Sequence, residues 1–129
     1  MAQPCGTSTP PTNSIGTLEA VTAAEISVQD LAALGPSACI VDVRELDEWA
    51  QGHIGHATLV PLAIVPGSAE AFEAEPTYVV CRSGNRSGQA CEFLRGRGHS
   101  VVNVTGGMIA WTAAGFDVVT GAESGATGA

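Results

Sequence analysis

The sequence predicts an open α/β fold, a mainly parallel sheet with helices on both faces. Apolar strand-type runs alternate with helix-type segments along the chain. The runs themselves, such as "ACIVDV" at 38–43 and "TYVVC" at 77–81, are continuously apolar and do not alternate inward and outward. Strands read that way when crossover helices bury both sides of a parallel sheet. Length agrees: 129 residues, 45% of them hydrophobic and 14% charged, suffice for one domain with a real core and are too few for two.

Residues 1–20 are rich in Thr, Pro, Ser and Gly and poor in aromatics, which predicts a loosely held tail. The domain is expected over 21–118, with 119–129 as a second tail. In "EISVQDLAALG" a short apolar entry leads to Ser27 as helix N-cap, with Asp30 three residues on, Leu31 and Leu34 on one face, and Gly35-Pro36 as the stop. After the strand "ACIVDV", "ELDEWAQG" reads as a short helix ending at Gly52. "ATLVPL" at 57–62 reads as a further strand, and "SAEAFEAE" as a short helix opened by Ser68. "TYVVC" is a strand, "NRSGQACEFLRGRG" a helix of about three turns, "SVVNV" a strand, and "GMIAWTAAG" a last helix closed by Gly115.

A formal charge of −8 excludes nucleic acid and anionic membrane as expected partners, since binding phosphate requires a basic face. No apolar run approaches the roughly 20 residues of a membrane helix, and the N-terminus lacks the basic start and apolar stretch of a signal peptide. A cytoplasmic location follows as the expectation. The four cysteines, Cys5, Cys39, Cys81 and Cys91, show no CxxC and no metal-type spacing, so free thiols are expected, with no metal and no cofactor. Cys39 reads as a buried strand residue.

Positive charge is scarce and unevenly spent. There is no lysine, and of the five arginines Arg82 and Arg86 lie within five residues of Cys81. Cys81 ends a strand, and α/β sheets bind ligands beyond the carboxyl ends of their strands. The loop "RSGN" follows, then Arg86, then a helix whose first turn includes Ser87 and Gly88. So short a loop must curl; Gly84 and Asn85 tolerate positive φ, and successive amides in such a curl form an anion nest. The nest, the helix N-terminus and Arg86 all favour a thiolate, and no acidic side chain from 81 to 91 opposes them. Cys81 is therefore the candidate nucleophile, and an inert core cysteine is the alternative.

Five ordered motifs resemble the single-domain rhodaneses: "DVRE" at 42–45, Glu48 with Trp49, "GHIGHA" at 52–57, "CRSGNRS" at 81–87 and "GGMIAW" at 106–111. The resemblance spans about residues 22 to 117. It implies a five-stranded parallel sheet and a sulfurtransferase in which Cys81 takes sulfur from a donor such as thiosulfate, as a persulfide, and passes it to a thiol, cyanide or protein acceptor. By resemblance the amides of Arg82, Ser83, Gly84, Asn85, Arg86 and Ser87 ring the sulfur, Arg86 closes the ring and Arg82 attracts the anionic donor. A phosphatase or arsenate reductase on the same loop is the alternative. The related cell-cycle phosphatases place seven residues from cysteine to arginine, whereas Cys81 to Arg86 is six. A non-catalytic binding domain is the third possibility, disfavoured by the cysteine itself.

Asp42 and Arg44 are supporting residues at a strand end, and Arg44 with Glu48 forms a possible i,i+4 pair. His53 is expected to anchor the turn after its helix. His56 stands where the family commonly has glycine. Cys91 is poorly placed to resolve a disulfide with Cys81, and Trp111 reads as a core anchor. A monomer or weak dimer is expected.

Overall fold

The computed structural model describes residues 24–121, so both ends of the chain, with Cys5, lie outside the described residues. Five strands, β1 (Glu25–Ile26), β2 (Ile40–Asp42), β3 (Thr58–Leu59), β4 (Thr77–Val80) and β5 (Val101–Val104), form one sheet in the order β1-β5-β4-β2-β3. Every pairing is parallel. Four helices, α1 (Val28–Leu34), α2 (Leu46–Gln51), α3 (Asn85–Gly96) and α4 (Gly107–Ala113), connect or follow the strands. The expected open parallel sheet with helices on both faces is what forms.

Alternation along each strand divides the core in two. Val41, Val79 and Val101 point to the face covered by α3, where they pack with Ala90, Cys91 and Leu94. Ile40, Val80 and Val104 point to the opposite face, against Leu31 of α1, Trp49 of α2 and Met108 and Trp111 of α4. A strand buried on both sides has no polar face to present, hence the unbroken apolar runs.

Ser27 caps α1 as expected, its Oγ accepting from the Asp30 amide at 3.1 Å. Two local expectations change. Of "ATLVPL" only Thr58–Leu59 is strand: beyond Val60 the chain turns at Pro61 into a 3-10 segment, Leu62–Gly67. "SAEAFEAE" forms only a 3-10 turn, Ala69–Phe72, held by buried Phe72. Ser68 opens no α-helix there, because its hydroxyl donates back to the Ile64 carbonyl at 2.7 Å. Cys39 is joined in a disulfide, where a free thiol was expected; Cys81 and Cys91 are free.

His53 anchors as expected. Its ring stacks on Trp49 at 3.6 Å between centroids, and Nδ1 lies 2.9 Å from the Trp49 carbonyl oxygen. Its backbone exchanges both hydrogen bonds with Val119, and the Gly121 amide donates to the Ala50 carbonyl, so the chain after α4 returns to the end of α2. His56 is accommodated because the Ile54–Ala57 turn needs no left-handed residue: no non-glycine has positive φ, and neither does Gly55. Among the described residues no helix is long and apolar enough to cross a membrane.

The connections after β2 and β4 run in opposite directions across the sheet, β2 toward β3 and β4 toward β5. The crevice between their carboxyl ends is the topological switch point, where α/β sheets open a site. On the β2 side Asp42 is wholly buried and clamped by Arg44, whose Nε and Nη2 reach the carboxylate at 2.8–3.1 Å. Nη2 also donates to the Gly52 carbonyl at 2.8 Å. The pair thus ties the end of β2 to the end of α2. Arg44→Ala leaves the Asp42 carboxylate buried and unpaired, and is expected to cost about 3–5 kcal/mol, read as a lowered midpoint in urea unfolding; a loss within the range of an exposed ion pair would contradict this.

Candidate active site

Cys81 follows β4, the central strand, at the switch point. It shares the face of Val79, so its sulfur lies on the α3 side. The loop is shorter than "RSGN": α3 begins at Asn85, leaving only Arg82, Ser83 and Gly84 between strand and helix. Asn85, Arg86 and Ser87 form the first helical turn. Gly84 takes φ +108°, and Asn85 stays in the ordinary region.

This turn brings donors onto the sulfur. The Gly84 amide lies 3.0 Å from Cys81 Sγ. First-turn amides have no partner inside their own helix; the first bond of α3 runs from the Gly88 amide to the Gly84 carbonyl, and the amides of Ser87 and Ser83 also favour the charged form of the sulfur. The Ser87 hydroxyl lies 3.4 Å away. Burial pushes the Cys81 thiol up, but the Ser87 hydroxyl and the amides of Ser87, Gly84 and Ser83 outweigh it, and the net shift is downward. Cys91, on the same face, has no such donors, and burial pushes it up to about 11.

The charged residues sort differently from expectation. Arg86 does not point its guanidinium freely over the cradle: Nη1 donates to Glu48 Oε1 and Nη2 to Glu48 Oε2, each at 2.8 Å. Glu48 Oε1 also accepts from the Glu45 amide at 2.9 Å, closing a capping box on α2. The expected Arg44–Glu48 pair is therefore absent, Arg44 being held by Asp42. The Arg86–Glu48 pair joins α2 to α3 across the switch point and holds Glu48 well below the usual range, at about 2. Arg86 stays near enough to Cys81 for a thiolate to favour its charge. Arg82 is exposed, and its guanidinium makes no ion pair among the described residues. Asp42 and Arg44 serve the sheet end, and among the described residues neither side chain makes a hydrogen bond or ion pair to the cysteine loop.

The loop's far side is bonded to α4. The amides of Met108 and Ile109 donate to the carbonyls of Cys81 and Arg82 at 2.8 and 3.1 Å. That approach requires the second glycine of "GGMIAW", while the first is required by its left-handed φ and by Ala110 one turn on. Gly106 and Gly107 have φ +81° and +55°, and a Cβ on Gly107 would collide with the Cys81 carbonyl oxygen and lie 2.5 Å from that of Arg82. Asn103 on β5, absent from the sequence-derived set, also reaches the cradle, with Oδ1 2.5 Å from Ser87 Oγ and Nδ2 3.3 Å from the Gly84 carbonyl. The available signal was a lone carboxamide inside the apolar run "VVNV". Among the described residues no cluster of His, Cys, Asp or Glu can hold a metal ion.

Two outcomes are expected. Gly107→Ala drives a methyl group into the loop carbonyls and is expected to cost about 2–3 kcal/mol or more, with slower alkylation of Cys81 by iodoacetamide; an unchanged unfolding midpoint would show that the loop has room. Glu48→Gln keeps the cap and removes the charge, costing about 0.5–1 kcal/mol near neutral pH. Because the folded Glu48 is depressed from 4.5 to about 2, the pair's contribution is full above 4.5, declines below it and is gone as pH falls through about 2. Urea midpoints of wild type and variant should converge over that window, and a gap independent of pH would refute the assignment.

The family model for the rhodanese-like domain matches residues 27–114. A putative sulfurtransferase of Bacillus subtilis, YtwF, is 41% identical over 73 residues, 56% of this chain and 71% of that protein. The thiosulfate sulfurtransferase GlpE of Pseudomonas entomophila is 36% identical over 85 residues, 64% of this chain and 78% of that one. Among solved structures, a rhodanese-related protein from Thermoplasma volcanium superposes with a TM-score of 0.70 at 32% identity, over 74% of this chain and 97% of its own. A rhodanese-like domain protein from Staphylococcus aureus gives 0.64 at 38% identity, over 68% and 90%. A family model over most of the domain, relatives of matching length and a cysteine cradle at the switch point lead to one conclusion: this chain belongs to the rhodanese-like family.

Proposed function

We propose that the protein is a sulfurtransferase that carries sulfur on Cys81. The observation behind this reading is the approach of the Gly84 amide, at 3.0 Å, and the Ser87 hydroxyl, at 3.4 Å, to a single sulfur at the end of the central strand. Such donors stabilise S⁻ without a general base, and the thiolate is the form in which a cysteine acts as a nucleophile. Two relatives bear the names sulfurtransferase and thiosulfate sulfurtransferase, which supports the reaction class.

With thiosulfate as donor, the Cys81 thiolate attacks the outer sulfur. A Cys81 S–S bond forms, the S–S bond of thiosulfate breaks, and sulfite leaves with the bonding electron pair. The product, Cys81–S–S⁻, carries its charge on the terminal sulfur, where the amides of the Arg82–Ser87 segment are available as donors. An acceptor nucleophile, cyanide or a thiolate on a small molecule or protein, then attacks that sulfur and releases the Cys81 thiolate. No external oxidant or reductant is required, and the protons balance.

The two arginines divide the electrostatic work. Arg86 is neutralised in part by Glu48, so its main contribution is to fix the first turn of α3 to α2. Arg82, exposed and unpaired among the described residues, is the cation available to a dianionic donor. The six-residue span from Cys81 to Arg86 and an amide only 3.0 Å from Sγ suit sulfur better than phosphate or arsenate.

Intact-protein and peptide mass spectrometry after incubation with thiosulfate should find one added sulfur atom on Cys81, lost with cyanide and absent in Cys81→Ser. Arg82→Ala should raise KM for thiosulfate about three- to tenfold, with little change in kcat. A modification that persists in Cys81→Ser, or none in the wild type, would sink the proposal.

A further inference from the structure

Cys91 is a buried free thiol that the proposed reaction does not use. Counted along the chain it lies well beyond Cys81, but the chain reverses between them. β4 ends at Val80 and α3 begins at Asn85, so the helix runs back over the strand that carries Cys81. The Ser87 hydroxyl lies 3.4 Å from Cys81 Sγ, and Cys91 is the i+4 neighbour of Ser87 on the same helix face. Side chains on a helix lean toward its N-terminus, which sends that of Cys91 back toward Ser87 and the Cys81 sulfur. Cys81 and Cys91 accordingly pack in one cluster with Val79 and Ala90, and a charge on Cys81 is felt at Cys91.

This placement selects one reaction. Of the two sulfurs in a persulfide, the inner one is Cys81 Sγ itself, the atom that the Gly84 amide and the Ser87 hydroxyl locate. Cys91 therefore approaches the inner sulfur, and attack there displaces the terminal one as hydrosulfide. Burial pushes the Cys91 thiol up to about 11, so it stays protonated near neutral pH and reacts slowly. An external acceptor is served first. The same retained proton is the one that the departing sulfur needs.

We propose that Cys91 is the resolving thiol of the site, which discharges a Cys81 persulfide that meets no acceptor. The proposal rests on the reading of Cys81 as the sulfur carrier. Cys91 Sγ attacks Cys81 Sγ and a Cys81–Cys91 bond forms. The bond from Cys81 Sγ to the terminal sulfur breaks, and its electron pair leaves with that sulfur, which takes the Cys91 proton and departs as HS⁻. The sulfane sulfur is reduced, the two cysteines are oxidised to a disulfide, and no other oxidant enters. Cys81 then takes no further sulfur until a small thiol reductant restores both thiols. Cys91 borders a groove of about 420 Å³ with Asn85, Gln89 and Arg95, which gives such a reductant an approach along α3.

The test loads the full chain with one equivalent of thiosulfate, removes sulfite by desalting and leaves the protein without acceptor. The sequence separates the readouts: trypsin, cutting after Arg44, Arg82 and Arg86, puts Cys39, Cys81 and Cys91 on three different peptides. The intact mass should first rise by one sulfur, then settle two hydrogens below its starting value as one equivalent of sulfide appears. An unreduced digest should then contain the Cys81 peptide linked to the Cys91 peptide. Cys91→Ala should extend the lifetime of the persulfide about tenfold or more, because the effective concentration of an internal thiol exceeds that of an added one. If alanine disturbs the core, Cys91→Ser is read the same way, and the wild-type digest decides without either variant. A wild-type persulfide that persists, decay equally fast in the variant, or a link found only in covalent dimers overturns the role of Cys91 and leaves the proposed function standing. No persulfide on the wild type, with Cys81 still joined to Cys91 by the thiol oxidant diamide, overturns the proposed function and the resolving step with it.

Discussion

The Gly84 amide sits 3.0 Å from the Cys81 sulfur, and much of the surrounding structure is committed to keeping it there. The amide points inward because Gly84 adopts φ +108°, a conformation costly for any other residue. The loop can be three residues long because β4 delivers Cys81 directly beneath α3. Its carbonyls, which face away from the sulfur, would be stranded if nothing met them; the α4 amides of Met108 and Ile109 do. Gly107, where a Cβ would strike those carbonyls, lets α4 come that close. The peptide units of the loop are therefore oriented from both sides, amides toward sulfur and carbonyls toward α4.

Formal charge plays a smaller part than the arginine count suggests. Arg86 belongs to an ion pair that bridges the two helices diverging at the switch point, and Glu48 is shared between that pair and the cap of α2. A free guanidinium against the sulfur would stabilise the thiolate strongly, yet it would also hold any anionic leaving group. Dipoles fixed by the backbone stabilise S⁻ without that penalty. The mobile cation is left to Arg82, at the surface.

Much of this was legible in the sequence, and what was not shares one cause. Continuous apolar runs marked buried parallel strands because strand periodicity is local. The cysteine, its glycine and the helix start were legible because a short strand-to-helix loop leaves few conformations. The Arg44–Glu48 pairing failed because the i,i+4 rule applies within a helix, whereas Arg44 precedes α2 and meets Asp42, its neighbour at the strand end, while Glu48 meets a residue 38 positions away. Asn103 stayed hidden for the same reason: its partners lie across strand order, and β5 meets the α3 N-terminus only because β5 is the neighbour of β4. Ser68 shows the opposite limit, a capping residue whose hydroxyl found a nearer carbonyl.

Cys81 and Cys91 make the physical point most sharply. Both are 1% exposed, both pack into the same hydrophobic cluster, and both carry unmodified thiols. Burial alone would raise both, and at Cys91 it does. At Cys81 it is outweighed, by donors that exist only because the strand ends, the chain reverses through a left-handed glycine and a helix starts with unsatisfied amides. The difference between the two thiols is therefore not a matter of access to solvent. Burial strengthens each amide–sulfur interaction by excluding water from it, so the environment that silences Cys91 amplifies the donors around Cys81. Opening the cradle to water would expose the sulfur and weaken the interactions that favour its ionised form.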